Sequence, residues 1–251
     1  MTTTILEQLA LIEQNEGVRI LYACESGSRA WGFPSPDSDY DVRFIYAQPR
    51  DNYISIRDPQ DVVEIPVNPV LDINGWDIRK TLQLFLKSNS PLYEWLQSPI
   101  GYKEEGGFAA ELRRLMTEYY SHRSGCHHYL SMAYNTLNND LKGNEVKLKK
   151  YFYALRPALA CGWILEKRTV PPMEFAVLRT LITDSAWNAT VDELLRQKAR
   201  ADEKALIAPI PLLQHWLSNT LEQFKNRADT IPAVKHDTTR LDELFRKTIV
   251  P

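Results

Sequence analysis

The chain has no apolar run approaching the roughly 20 residues that a helix needs to cross a bilayer. It also lacks a basic head. The opening MTTTILEQLALIEQNEG carries Glu7 and Glu13 inside its apolar pattern, unlike a secretory leader. Cysteine is scarce: Cys24, Cys126 and Cys161 are an odd set without C-x-x-C spacing. A disulfide framework or a cysteine zinc site is therefore not expected, and a reducing cytoplasm is. Excess charge of one sign is missing too. The net charge of -2 excludes a basic coat for nucleic acid but leaves room for a local basic groove. No repeat or low-complexity tract interrupts the chain. What is present is 44% apolar and 25% charged, the make-up of a globular protein, and 251 residues suffice for one large domain or two ordinary ones.

Periodicity divides the chain into two parts. Residues 4–15 place Ile5, Leu9 and Ile12 on one helical face, widened by Leu6, and Gly17 ends that helix. VRILYAC (18–24) reads as a buried strand. ESGSRAWG then makes a turn of small residues leading into a short helical turn, and FPSPDSD is a loop. YDVRFIYA (40–47) is a second strand whose alternation puts Asp39, Asp41 and Arg43 on one side and Tyr40, Val42 and Phe44 on the other. YISI, VVEIPV and VLDI are short strand candidates, the last broken by Asn74-Gly75. Asp77 caps a helix running through Leu82, Phe85 and Leu86, and Pro91 opens another. Beyond about residue 105 the pattern is helical almost throughout, at 108–121, 123–141, 144–166, 172–183, 191–200, 210–227 and 237–247. Pro157 should kink or split the third of these. The expectation is an α+β fold, a mixed sheet with flanking helices over 1–105, followed by an all-helical domain over 106–251 that closes the cleft.

The chemistry concentrates between residues 27 and 41. Two carboxylates two apart on a strand share a face, so Asp39 and Asp41 point at one spot, and like charges that close call for a cation. Magnesium suits such a pair: it is hard, takes oxygen ligands, and is held by one or two carboxylates plus substrate phosphates. Upstream, the small residues Gly27 and Ser28 expose backbone N–H groups and a hydroxyl to an incoming phosphate. A phosphate cradle beside a metal pair serves attack on the α-phosphorus of a nucleoside triphosphate, with pyrophosphate leaving. A lone D-x-D is more often a solvated strand edge; the ordered combination is what carries weight.

Gly27-Ser28, ten intervening residues and Asp39-Tyr40-Asp41-Val42 resemble the signature of the DNA polymerase beta superfamily, with Tyr40 a variant at the middle position. The wider text LYACESGSRAWGFPSPDSDYDVRFIY is similar to the RNA-repair-associated DNA polymerase beta family of predicted nucleotidyltransferases. The likeness continues in LDINGWDIRKTLQLFLKSNSPLYEWLQSPI and, more weakly, in KLKKYFYALRPALACGWI. It implies a polymerase beta-like nucleotidyltransferase fold and metal-dependent transfer of a nucleoside monophosphate from an NTP to an acceptor hydroxyl. Two magnesium ions are implied, with manganese as a substitute. A third carboxylate on a later strand is also implied: Asp72, in its apolar strand frame, is favoured over Asp77, better explained as a cap, and over Glu64. The acceptor is open between an RNA end, a protein and a small molecule such as an aminoglycoside; a membrane partner is not expected. The rival expectations are a nucleotide- or RNA-binding module, or a toxin–antitoxin-type interaction protein, on the same fold without transfer.

Other cations are weighed as ligands for the nucleotide. Arg29 adjoins Ser28, and Lys80 opens a helix near the third carboxylate; for each, a surface charge is an equal alternative. Arg43 is expected to pair with a carboxylate. Lys149, Tyr153 and Arg156, at i, i+4 and i+7, share a helical face that suits a base with its phosphates. His122, Cys126, His127 and His128 have poor metal geometry and no second half, and Trp31, Trp76, Trp95 and Trp163 are expected in the core.

Overall fold

The structure is a computed structural model that describes residues 1–65, 68 and 70–250. Along the chain run α1 (Thr2–Glu16), β1 (Arg19–Glu25), α2 (Gly27–Trp31), β2 (Tyr40–Ala47), α3 (Arg50–Tyr53), β3 (Val62–Glu64), β4 (Leu71–Asp77), α4 (Ile78–Leu86), α5 (Ser90–Trp95) and β5 (Gly101–Glu104). There follow α6 (Phe108–Tyr119), α7 (His122–Asn139), β6 (Val146–Lys147), α8 (Leu148–Lys167), α9 (Phe175–Leu178), α10 (Ser185–Lys198), β7 (Leu206–Ile207), α11 (Pro211–Asp229) and α12 (Thr239–Ile249). Two compact units divide these elements: Met1–Ala30 with Asp39–Tyr120 and Lys235–Pro251, and Trp31–Ser38 with Ser121–Val234. The fold is thus α+β, as expected. Among the described residues no helix is long and apolar enough to cross a membrane.

The first unit is built on a five-stranded mixed sheet in the order β3-β4-β2-β1-β5. β2 and β4 are parallel, and the other pairs are antiparallel. Alternation gives the sheet two unlike faces. Ile20, Val42, Phe44, Tyr46, Leu71 and Ile73 form one core with Ile5, Leu9 and Ile12 of α1; each such aliphatic side chain, once buried, contributes about 2 kcal/mol. Leu6 stays 43% exposed, so the buried stripe of α1 is narrower than expected. The opposite parity of β2 and β4 carries Asp41, Arg43, Asp72 and Asn74, and this polar face is where the site forms.

Several local expectations change. YISI is not a strand: α3 ends at Tyr53, and Ile54 and Ile56 are exposed. β4 passes through Asn74-Gly75 without breaking, because a side chain at Gly75 would overlap the ring of Phe44 on the neighbouring strand; the glycine serves packing, not a turn. VVEIPV yields β3 at its start, and its residues 66 and 67 lie outside the described residues. β5 was not anticipated. Helix α8 runs through Pro157 unsplit.

The second unit is helical, with α7, α8 and α11 packed together and a short β6–β7 pair. It also takes in residues 31–38. Phe33 stacks on Phe152 with centroids 4.8 Å apart, and Ser35 Oγ accepts from Lys198 Nζ at 2.8 Å. Ser38 Oγ donates to Glu203 Oε1 at 2.7 Å. Burial works against ionised Glu203, yet the hydrogen bonds from Lys149 and Ser38 and the charge of Lys198 hold its carboxyl down at about 2. The division differs from a single cut near residue 105. α6 packs on β1, α12 packs on α4, and the loop 31–38 is claimed by its aromatic and ionic partners in the helical unit.

Candidate active site

β1 delivers the chain to Glu25, and Gly27 follows with φ of +60°, a left-handed conformation that costs a side-chain-bearing residue about 1–2 kcal/mol. A second constraint acts at the same position: a methyl group on Gly27 would overlap the carboxylate of Asp41. The Gly27-Ser28 turn and the acidic strand are therefore in direct contact, with the glycine making room. Ser28 is 7% exposed.

Asp41 lies opposite Asp72 in the parallel β2–β4 register, so the two carboxylates stand side by side on the polar face. Between them reaches Arg43. Its Nη2 donates to Asp41 Oδ1 at 3.0 Å and to Asp72 Oδ2 at 2.7 Å, and its Nη1 donates to the carbonyls of Val42 at 3.1 Å and Asp72 at 3.2 Å. The side chains of Asp41 and Asp72 are only 23% and 28% exposed, so their repulsion is poorly screened and the guanidinium offsets it. Arg43 thus pairs with carboxylates as expected, and it binds two of them.

Asp39 is exposed and precedes β2; its carbonyl accepts from Arg29 Nε at 3.0 Å, and the Arg29 guanidinium lies 3.8 Å from the centroid of the Tyr40 ring. Arg29 therefore braces the loop that carries Asp39. Sequence reasoning missed Glu25. It is fully buried, and its Oε1 accepts the Asp41 N–H at 2.8 Å while Oε2 accepts from the Tyr102 hydroxyl. Burial raises its pKa, and those two hydrogen bonds pull the other way. Glu25 fixes the backbone of Asp41 from behind. A carboxylate ending a buried strand just before Gly27 is the signal that marks it.

The donors decide whether a hard divalent cation suits this place. Two carboxylates from adjacent strands converge on a single cationic nitrogen, and oxygen donors so arranged fit magnesium. Among the described residues no three His, Cys, Asp or Glu side chains are already gathered as a metal-binding group.

Residues 1–247 match the RNA repair pathway DNA polymerase beta family. The chain belongs to that family. It is 46% identical over 251 residues to the uncharacterized protein YcgL of Bacillus subtilis (strain 168), covering 99% of this chain and 96% of that one. A crystal structure of a nucleotidyltransferase-like protein from Exiguobacterium sibiricum 255-15 aligns with 90% of this chain and 75% of its own at 13% identity and a TM-score of 0.33. Membership of the RNA repair pathway DNA polymerase beta family suggests a nucleotidyltransferase-type function.

Within this member of the family, the candidates for third carboxylate differ sharply in setting. Asp77 is 1% exposed; it accepts the Arg79 N–H at 2.7 Å as the cap of α4 and the Tyr53 hydroxyl at 2.6 Å. Its pKa is raised by burial, against the pull of those hydrogen bonds. Glu64 is exposed on β3, beside Asn74, whose amide donates to it at 3.0 Å. Asp72 alone of the three shares the guanidinium with Asp41. Substitution should separate them: Asp72→Asn is expected to lower nucleotide turnover on the order of a hundredfold with little change in melting temperature. Asp77→Asn should instead cost about 1 kcal/mol of stability, and Glu64→Gln should do neither. Steady-state rates beside thermal melts give the ranking, and a turnover defect confined to Asp77→Asn would reverse it.

The remaining expected ligands have partners of their own. Lys80 pairs with Asp61 at 3.1 Å on the first unit's surface. In the second unit, Lys149 pairs with Glu203 at 2.9 Å, and Tyr153 meets Trp31 edge-on at 6.0 Å. Arg156 corrects the expected cationic stripe. It is 2% exposed, its Nε and Nη2 donate to the carbonyl of Met173 at 3.1 and 2.9 Å, and its guanidinium sits 4.5 Å from the centroid of the Trp31 ring. A guanidinium held this way serves the helical core. Trp95 is buried as expected and packs against Trp76 at 4.0 Å.

Proposed function

We propose that the chain transfers a nucleoside monophosphate from an NTP to an acceptor hydroxyl, releasing pyrophosphate, with a divalent cation held by Asp41 and Asp72 and by the adjoining Asp39. The observation that carries this reading is the contact between Gly27 and the Asp41 carboxylate, which sets a turn able to take phosphate against a carboxylate pair suited to magnesium. When bound, the cation supplies charge neutralisation for the phosphates and for the leaving pyrophosphate. The chain's own residues do the positioning. Gly27 and Ser28 receive the β and γ phosphates, Arg29 braces the Asp39 loop, and Glu25 locks the Asp41 backbone in register. Asp72 is the group assigned to the acceptor hydroxyl.

The family's association with an RNA repair pathway makes an RNA end the first acceptor to try, ahead of a protein or a small molecule. Incubation with each α-labelled NTP, magnesium, and either total RNA or total protein tests the reading. Label appearing on the acceptor with stoichiometric pyrophosphate supports it. Nucleotide binding without pyrophosphate release under every pairing would replace it with the binding-module reading.

A further inference from the structure

The polar face already holds a cation that belongs to the chain. We infer that Arg43 is a displaceable counter-ion: it holds Asp41 and Asp72 together in the metal-free protein and yields that place when a divalent cation binds the pair. The inference rests on the metal reading above and concerns what that metal must compete with.

Three features carry it. First, one nitrogen, Nη2, serves Asp41 Oδ1 and Asp72 Oδ2 together, so the guanidinium occupies the point where the two carboxylates converge. An arginine cannot shed its charge, and a divalent cation drawn to the same oxygens would be repelled by it, so metal binding to the pair is weakened for as long as the guanidinium stays in contact. Second, the partly buried carboxylates need a cation at all times, because one left uncompensated is costly. A side chain that fills the need without metal keeps the metal-free protein folded. Third, Arg43 is 18% exposed and sits on a flexible stem, so its head group has a route away from the pair; apart from the two carboxylates, its bonds here go to two backbone carbonyls. A dedicated structural arginine is better enclosed, as Arg156 is.

The consequence is competition with a definite sign. Removing the guanidinium should weaken the metal-free fold and strengthen metal binding, whereas a residue that merely orients the ligands would weaken both when removed. Mn2+ is the probe, with binding followed by electron paramagnetic resonance and stability by thermal melting, on the full chain without nucleotide. R43Q is expected to bind Mn2+ on the order of tenfold more tightly than the wild type. Without metal it should melt lower, and Mn2+ should raise its melting temperature by more than it raises the wild type's. Equal or weaker Mn2+ binding by folded R43Q, with wild-type binding that D41N abolishes, overturns this inference and leaves the metal reading standing. Mn2+ binding by neither wild type nor R43Q overturns both. Should R43Q fail to fold, R43K makes the comparison, since lysine keeps the charge but offers fewer hydrogen bonds. Its expected Mn2+ affinity is above the wild type's, and equality with the wild type overturns the inference.

Discussion

Asp41→Asn should lower divalent-dependent nucleotide turnover by about a thousandfold, because a lost carboxylate ligand removes several kcal/mol of electrostatic stabilisation from the reacting phosphates. The substitution preserves shape. The side-chain amide keeps an oxygen for Arg43, and the backbone N–H at this position still meets Glu25, so β2 keeps its register between β1 and β4. The effect should therefore appear in turnover at saturating nucleotide, with a melting temperature close to that of the wild type. Measuring kcat, divalent dependence and thermal stability on the same preparations separates chemistry from folding. Turnover at the wild-type rate by folded Asp41→Asn protein would move the active site away from this strand.

Gly27→Ala is expected to damage the site in a different way. Alanine would have to adopt φ of +60°, at about 1–2 kcal/mol, and its methyl group would overlap the Asp41 carboxylate. The carboxylate must then shift away from the turn, which disturbs its hydrogen bond with Arg43 and its alignment with Asp72. A displacement near 1 Å at reacting groups costs on the order of a hundredfold in rate. The melting temperature should fall by about 2–8 °C from the strain. Gly32→Ala supplies the control: φ there is +90°, but a methyl group meets nothing within 4 Å. It should share the stability loss and keep most of the turnover. If the two variants lose turnover equally, the contact between Gly27 and Asp41 has no part in activity.

Much of the first unit was legible because its signals are local. The stripe of Ile5, Leu9 and Ile12, the alternation of residues 40–47 and the capping of α4 by Asp77 each depend on spacing within one element, and the structure keeps all three. Asn74-Gly75 misled because a glycine has two uses. In isolation it marks a break, and only the Phe44 ring on the neighbouring strand shows that this one makes room within a strand. Arg156 misled for a similar reason: helical spacing placed it beside Lys149 and Tyr153, but the carbonyl of Met173 and the ring of Trp31 come from distant parts of the chain.

By itself the sequence determined the α+β class, the polar parity of β2, and the order of Gly27, Ser28, Asp39 and Asp41, since periodicity and spacing are properties of a single segment. Tertiary structure decided which groups meet. The parallel pairing of β2 with β4 sets Asp72, and not Asp77 or Glu64, beside Asp41; burial turns Glu25 into the clamp behind it; and the resulting pocket of negative charge draws in Arg43. Strand pairing joins residues about thirty positions apart by a register that no single segment encodes, and the electrostatics of the site exist only after that register has formed.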